Sequence, residues 1–287
     1  MDQLPQVIAN GLLLGAVLAL VAVGLTLIFG VVDVVNFAHG EFVMAGMYAA
    51  FFAWSLFGLD PILAIPITAA IVAAIGLASY ASFVRPALRG TLLSQIFVTF
   101  GLLIFLRGIA QVAFGPNFRS ITGSVLGGAS IQFLGVALPR PQLAAAVGSL
   151  IGMGLISWFV WRTRTGHALM ATAQDRDAAA LMGINPNRMF GLAWIIGGAA
   201  TGLAAALLAV YQPIHPTAGL VFGLTAFIIV AMGGFGSIAG AFVAAMLVGL
   251  LENVAGFYLD PAYKHLWVFL LFIVVLVWRP QGLLGRR

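Results

Sequence analysis

The amino-acid sequence predicts an all-α polytopic membrane protein that crosses a bilayer eight or nine times. Three observations predict it. Hydrophobic residues make up 62% of the 287 positions and charged residues only 7%, against roughly 25% charged in soluble domains; a surface this poor in charge faces lipid. The apolar residues fall in long continuous runs, whereas barrel strands alternate, and hydrocarbon tolerates only helices or closed barrels. The basic residues gather in three links, the asymmetry that orients spanning helices. A mean hydropathy of +1.12 agrees. At ~20 residues per span the length suits about eight to ten crossings in one domain, with no room for a soluble catalytic one.

The runs lie at 7–30, 40–57, 62–83, 93–114, 141–161, 190–210, 218–232, 238–257 and 264–279. The start, Met1-Asp2-Gln3, has no basic n-region, so the first run is read as a retained helix rather than a cleaved signal. Arg85 and Arg89 share one link, Arg162, Arg164, Arg176 and Arg188 a second, and Arg279, Arg286 and Arg287 close the chain, nine of the thirteen basic residues. Placing these on the cytoplasmic side leaves Arg119, Arg140 and Lys264 outside, with Arg107 inside a run. Two runs join the first basic link to the second, and four join the second to the tail; even numbers are what a shared side requires. The first 83 residues cross three times with the N-terminus outside, or twice if an early helix is broken or re-entrant. The C-terminus is thus expected in the cytoplasm, the link 162–189 on the same side, and the long link 115–140 outside.

Several function classes drop out. The pI near 10.2 reflects a net charge of only +5, spread between apolar runs, so a nucleic-acid stripe is absent. Cysteine is absent, which excludes disulfides, a thiol nucleophile and cysteine metal sites. A phosphate-binding loop needs Gly-Lys-Ser/Thr, and the only lysine is Lys264; Gly233-Gly234-Phe235-Gly236-Ser237 is therefore no nucleotide loop. His39 with Glu41 is too thin a constellation for catalysis, and His167, His215 and His265 are scattered. No cofactor and no bound metal are expected.

Two interruptions remain: Asp33-Val34-Val35-Asn36-Phe37-Ala38-His39-Gly40-Glu41, and Gly233 to Ser237. Gly24-Leu25-Thr26 precedes the first and Gly223-Leu224-Thr225 the second, with Thr26 ten residues before Asn36 and Thr225 ten before Phe235. Interrupted helices in matching halves point to a transport site; chance explains so weak a repeat equally well. Polar groups near hydrocarbon face a cavity or a partner. Asn36 can cap the next helix, Glu41 sits where a helix dipole favours a carboxylate, and Gly40 admits close backbone approach. Either this segment borders a translocation path or it is a capped turn. Gly233, Gly234 and Gly236, with Ser237, serve either a tight turn and packing or a pore-side role. Arg107 and Glu252 are ionisable groups inside apolar runs, and an ion pair between them, or a shared polar cavity, would lower the cost of both; snorkelling to headgroups is the alternative. In the link 162–189, Gln174 to Gly183 is rich in alanine and leucine with a glycine stop, which predicts a short amphipathic helix that docks on a partner or lies on the membrane.

The chain resembles the smaller permease subunit of high-affinity branched-chain amino-acid (LIV-I type) ABC importers. Asn36-Phe37-Ala38-His39-Gly40-Glu41-Phe42 with Gly46 after it, the Asp175…Ala178-Ala179…Met182-Gly183-Ile184-Asn185 stretch, and Gly233-Gly234-Phe235-Gly236-Ser237-Ile238-Ala239-Gly240 carry the resemblance. The first and third also occur in urea and short-amide permeases of the wider family. Asp177-Ala178-Ala179 followed by Gly183 is similar to the Glu-Ala-Ala-x-x-x-Gly coupling loop of bacterial import permeases, with Asp replacing Glu. The resemblance implies an ABC-importer permease fold in the bacterial inner membrane, with an ATPase-coupling loop that includes Asp175, Asp177, Ala178, Ala179 and Gly183. It implies as partners a second homologous permease, two cytoplasmic ATP-binding subunits that use the ATP, and a periplasmic substrate-binding protein, toward which Arg119 and Arg140 would attract acidic patches if they are more than ordinary loop arginines. Branched-chain amino acids are the default solute, with urea and short amides open. A secondary transporter driven by an ion gradient is the main rival; it would use Glu41 or Glu252. A channel and a membrane-embedded enzyme are weaker ones.

Overall fold

The computed structural model describes residues 3–128, 130–133 and 135–285. Met1, Asp2, Arg286 and Arg287 lie outside the described residues. The chain order is α1 (Leu4–Val32), α2 (His39–Phe57), α3 (Pro61–Ser79), a π-helical turn (Tyr80–Val84), α4 (Arg85–Ala87), α5 (Leu92–Phe114), β1 (Ile131–Phe133), β2 (Val136–Leu138), α6 (Arg140–Arg162), α7 (Arg164–Gln174), α8 (Arg176–Leu181), α9 (Pro186–Leu208), α10 (Ala218–Gly233), α11 (Ile238–Tyr258), a 3-10 turn (Pro261–Tyr263) and α12 (Lys264–Trp278). Eight helices are long and apolar enough to cross a membrane, and Ala218–Gly233 is a shorter apolar one. The polytopic helical class expected from the sequence holds. The long link adds one element that apolar run length does not encode, a small antiparallel hairpin pairing Gln132 with Ala137.

Links at one end of the bundle hold one another. Gln6 exchanges two hydrogen bonds of 2.7 Å with the backbone of Ala137, Asp60 accepts from Ser124 and Val125, and Arg119 and Ile214 exchange backbone bonds of 2.8 Å. At the other end the Tyr80 hydroxyl donates to the Asn187 carbonyl, Asp33 shares a cavity with Asp175 and Arg176, and Leu283 and Leu284 donate to the carbonyls of Met232 and Gly233. Arg85, Arg89, Arg162, Arg164, Arg176, Arg188 and Arg279 all belong to links of this second end. The first described residues therefore lie opposite the last ones. Among the described residues α1, α2 and α3 run from end to end three times, and α10 adds a shorter run to the eight candidate spans. With 16 residues α10 is about 24 Å long, short of the roughly 30 Å hydrocarbon core.

α1 is the central pillar. Every residue from Gly15 to Ile28 is buried, and its neighbours are α6, α9, α10 and α11. Side chains of its own size do not drive that packing, because lipid is as apolar as leucine; small residues that let backbones approach do. At the α1–α11 crossing a Cβ on Gly11 would lie 2.8 Å from the Leu250 Cα, and one on Gly249 would lie 2.6 Å from the Gly11 carbonyl. α5 and α12 are peripheral, with Phe97, Ile104, Phe105, Val277 and Trp278 exposed.

Candidate translocation site

Val34 to Ala38 forms no helix, and α2 starts well inside the bundle. Asp33 closes α1 in the left-handed conformation, with φ of 60°, a backbone region that Asp tolerates better than most residues. The chain then doubles back. Asn36 is buried at 2% exposure, and its side-chain oxygen accepts from the Ala38 N–H at 3.1 Å. The helix cap expected of Asn36 is thus displaced: Ala38 is the N-cap of α2 and supplies no side-chain bond, while Asn36 holds the turn just before it. The Thr99 hydroxyl of α5 donates to the Val35 carbonyl at 2.9 Å, pinning the extended stretch from the other side.

His39 marks the depth. Its Nε2 lies 2.9 Å from the Val21 carbonyl and 3.3 Å from the Thr201 hydroxyl. A carbonyl only accepts, so Nε2 carries the proton. Val21 sits 11 residues before the end of α1, about 16 Å along its axis. Gly40 then meets α10 backbone to backbone: a Cβ there would collide with Gly219 and lie 2.7 Å from the Gly223 Cα. α2 and α10 could not cross here with any larger residue at position 40.

Glu41, 1% exposed, pairs through Oε1 with the Arg107 guanidinium of α5. Its carboxylate packs on Gly219, where a Cβ would lie 2.6 Å from Oε2. The expected Arg107–Glu252 pair is therefore not formed. Glu252 pairs with Lys264 at 2.7 Å instead. The physical reason is topological: α5 runs beside α2, whereas α11 runs beside α1 and α12, so each buried charge takes the opposite charge on its own neighbour.

The glycine-rich break lies at the far end of α10. Gly234 and Gly236 have φ of 102° and 78°, left-handed values that glycine supplies without strain. Gly233 faces Gly240 backbone across the turn, and the Ser237 hydroxyl accepts from the Gly240 N–H at 3.1 Å as the cap of α11. This stretch is a turn and a packing site. The two interruptions are joined along α10 by rings: Phe37 stacks on Phe227 at 6.1 Å, Phe227 lies 6.2 Å from Phe235, and Phe235 lies 4.3 Å from Phe29.

The short helix expected within Gln174 to Gly183 forms as α8, and a further helix, α7, precedes it in the link, with Asp175 ending α7 and capping α8. Its Oδ1 accepts from the N–H groups of Asp177 and Ala178, both at 2.9 Å. Ala179 is buried, whereas Asp177 and Ala178 are exposed. Gly183, φ 83°, stops α8, and the Ile184 N–H donates to the Ala179 carbonyl. Leu181 and Met182 stand 89% and 83% exposed at its tip, an apolar knob left uncovered among the described residues. Asp175 to Asp177 line a cavity of about 510 Å³ together with Asp33 and Gly236, so the link and both interruptions face one cavity.

Residues 7–276 match the family described as "Branched-chain amino acid transport system / permease component". The chain belongs to that permease family. Its relatives include the high-affinity branched-chain amino acid transport system permease protein BraD of Pseudomonas aeruginosa, 34% identical over 98% of this chain and 95% of BraD. LivH of Escherichia coli, with the same description, is 32% identical over 98% and 95%. LivM of that species, likewise described as a permease protein of the high-affinity system, is 26% identical over 92% of this chain and 67% of its own length. The permease thus resembles two different permeases of one organism.

Sequence reasoning singled out Asn36 to Glu41 but missed Thr99, Thr201, Gly219 and Phe227, the groups of this permease that hold the segment. Helical hydroxyls and glycines carry no local signal of what they face. The weak Gly-Leu-Thr repeat was one clue, since Gly223 is a member of it.

Proposed function

We propose that this permease is one transmembrane subunit of an ATP-driven importer for branched-chain amino acids. It forms half of the pathway, and a second, homologous permease forms the other half. ATP is bound and hydrolysed by two separate cytoplasmic subunits, and a periplasmic binding protein delivers the solute. The permease itself makes and breaks no covalent bond. It resides in a bacterial inner membrane, with the arginine-rich end and the C-terminus in the cytoplasm. The names of BraD, LivH and LivM support the solute and the pairing, and positive-inside placement supports the sidedness.

One observation carries the mechanism. The α7–α8 link shares a cavity with Asp33 and Gly236, which bound the two interrupted segments. ATPase subunits that grip Leu181 and Met182 can therefore displace the ends of α1 and α10 together. α10 would slide on α2 where both are glycine, at Gly40, Gly219 and Gly223. Such a contact has no interlocking side chains to break, and it exposes the Asn36–Glu41 segment to one side or the other. Broken helices at mid-depth serve this purpose in other transporter folds. Glu41 and Arg107 offer charges of both signs there.

The test is uptake of labelled leucine, urea and acetamide into proteoliposomes that hold both permeases with or without the ATPase subunits. Leucine accumulation that needs ATPase and ATP and ignores an uncoupler is expected. Accumulation without the ATPase that collapses with the uncoupler would show an ion-coupled carrier, and preference for urea or acetamide would replace the solute.

A further inference from the structure

A second polar site lies away from the Asn36–Glu41 segment. A cavity of about 430 Å³ opens near the end of the bundle that holds the 115–139 link, between α1, α6, α10, α11 and the head of α12. Glu252 and Lys264 are both on its wall, paired at 2.7 Å, with side-chain exposures of 9% and 38%. Asn10, Gln142 and Gln212 add amides, and Leu14, Leu18 and Phe222 add an apolar side. Helical spacing turns Val221 and Thr225, which line the cavity, away from Gly219 and Gly223, so this cavity and the Gly40 contact use different faces of α10.

We propose that this cavity binds a zwitterionic amino acid, with its carboxylate against Lys264 and its ammonium against Glu252. Charged side chains within an apolar bundle are costly and mark functional positions. A pair of opposite charges on a cavity wall has no net charge, so a simple anion or cation gains from one member and is repelled by the other. A small molecule that carries both signs gains from each. The amides donate to a carboxylate and accept from an ammonium equally well. The wall is about as polar as it is apolar, and Leu14, Leu18 and Phe222 give an aliphatic side chain a place beside the charged pair. A phospholipid headgroup with an ammonium and a phosphate shares this charge pattern. The free amino acid is the proposed occupant, and the choice of leucine as probe rests on the proposed function.

The test is equilibrium binding of labelled leucine to the full-length permease in nanodiscs of phosphatidylglycerol alone, with no ATPase and no binding protein. Saturable binding is expected. Leucinamide, which lacks the carboxylate, and isocaproate, which lacks the ammonium, compete at least about tenfold more weakly. Glu252→Gln and Lys264→Gln each weaken leucine binding by about tenfold or more. Should either variant elute as aggregate, Gln142→Leu keeps the charges and still weakens binding. Absence of saturable binding overturns the proposal. So does binding indifferent to Glu252→Gln and Gln142→Leu, or binding abolished by Glu41→Gln alone, which would place the ligand at the α2–α10 contact. Displacement of leucine by added phosphatidylethanolamine assigns the cavity to lipid and overturns it as well. Failed ATP-driven uptake with intact binding refutes the proposed function and not this site.

Discussion

Arg107 Nη2 lies 2.5 Å from Glu41 Oε1, joining α5 to the first turn of α2 at the depth where α2 begins. The side chains are 18% and 1% exposed, so the pair is largely withdrawn from water. Removing one partner of a buried pair costs about 3–5 kcal/mol, because the other charge is stranded. Glu41→Gln and Arg107→Gln are each expected to lower the melting temperature in detergent and to abolish uptake. The double replacement Glu41→Gln with Arg107→Gln is expected to cost less than the two singles summed, and equal costs that simply add would show that the two groups are independent.

Gly40 has no space for a side chain. Gly40→Ala drives a methyl into the Gly219 and Gly223 backbone, and backbone yields less than a side-chain tip. Overpacking costs typically about 1–3 kcal/mol, and the upper part of that range is expected here. Uptake is expected to fall further than stability does, because the same contact is the proposed sliding surface. A Gly40→Ala permease with full uptake would remove that surface from the mechanism.

Leu181→Glu with Met182→Glu changes only exposed positions, and surface changes stay within about 0.5 kcal/mol. Unchanged melting is expected, together with loss of co-purifying ATPase subunits. Retained co-purification would place the ATPase contact elsewhere.

Asp60 clamps the 115–139 link to the head of α3. Burial raises its pKa, but hydrogen bonds from the N–H groups of Val125 and Ile62 and from the Ser124 hydroxyl outweigh burial and leave it below the usual Asp value. A carboxylate whose folded pKa is depressed stabilises above its unfolded pKa, and that contribution is lost as pH falls through the folded one. Protection of the Val125 amide from hydrogen exchange, referred to the intrinsic rate at each pH, is therefore expected to be steady near neutrality and to fall in acid below the ordinary Asp range. Asp60→Asn is expected to flatten that dependence. Equal acid sensitivity in Asp60→Asn would assign it to another group.

Spanning helices are legible because run length and continuity alone dictate them in hydrocarbon, with no knowledge of neighbours. The 218–232 run is read as short, and α10 is short. The turn-forming glycines are legible for the same reason, since a positive φ is a local demand. Pairing is not local. Arg107 and Glu252 look like partners in sequence because both are charges in apolar runs, yet their partners are set by which helices touch. Lys264 sits at the edge of a run, where a snorkelling lysine is unremarkable until α12 is packed beside α11. The depth of His39 is equally hidden, because nothing in residues 33 to 38 says that the chain turns back along α1 instead of leaving the bundle.

In the proposed mechanism residues 36–41 border the path and change access as the ATPases work. The permease has no native cysteine, so Phe37→Cys provides a single reporter. The measurement is its rate of modification by a small, charged thiol reagent in the assembled transporter, without nucleotide and then trapped with ATP. A several-fold change in rate between the two states, with protection by leucine in the reactive one, is predicted. A cysteine equally inert in both states, as a lipid-facing position would be, contradicts the account.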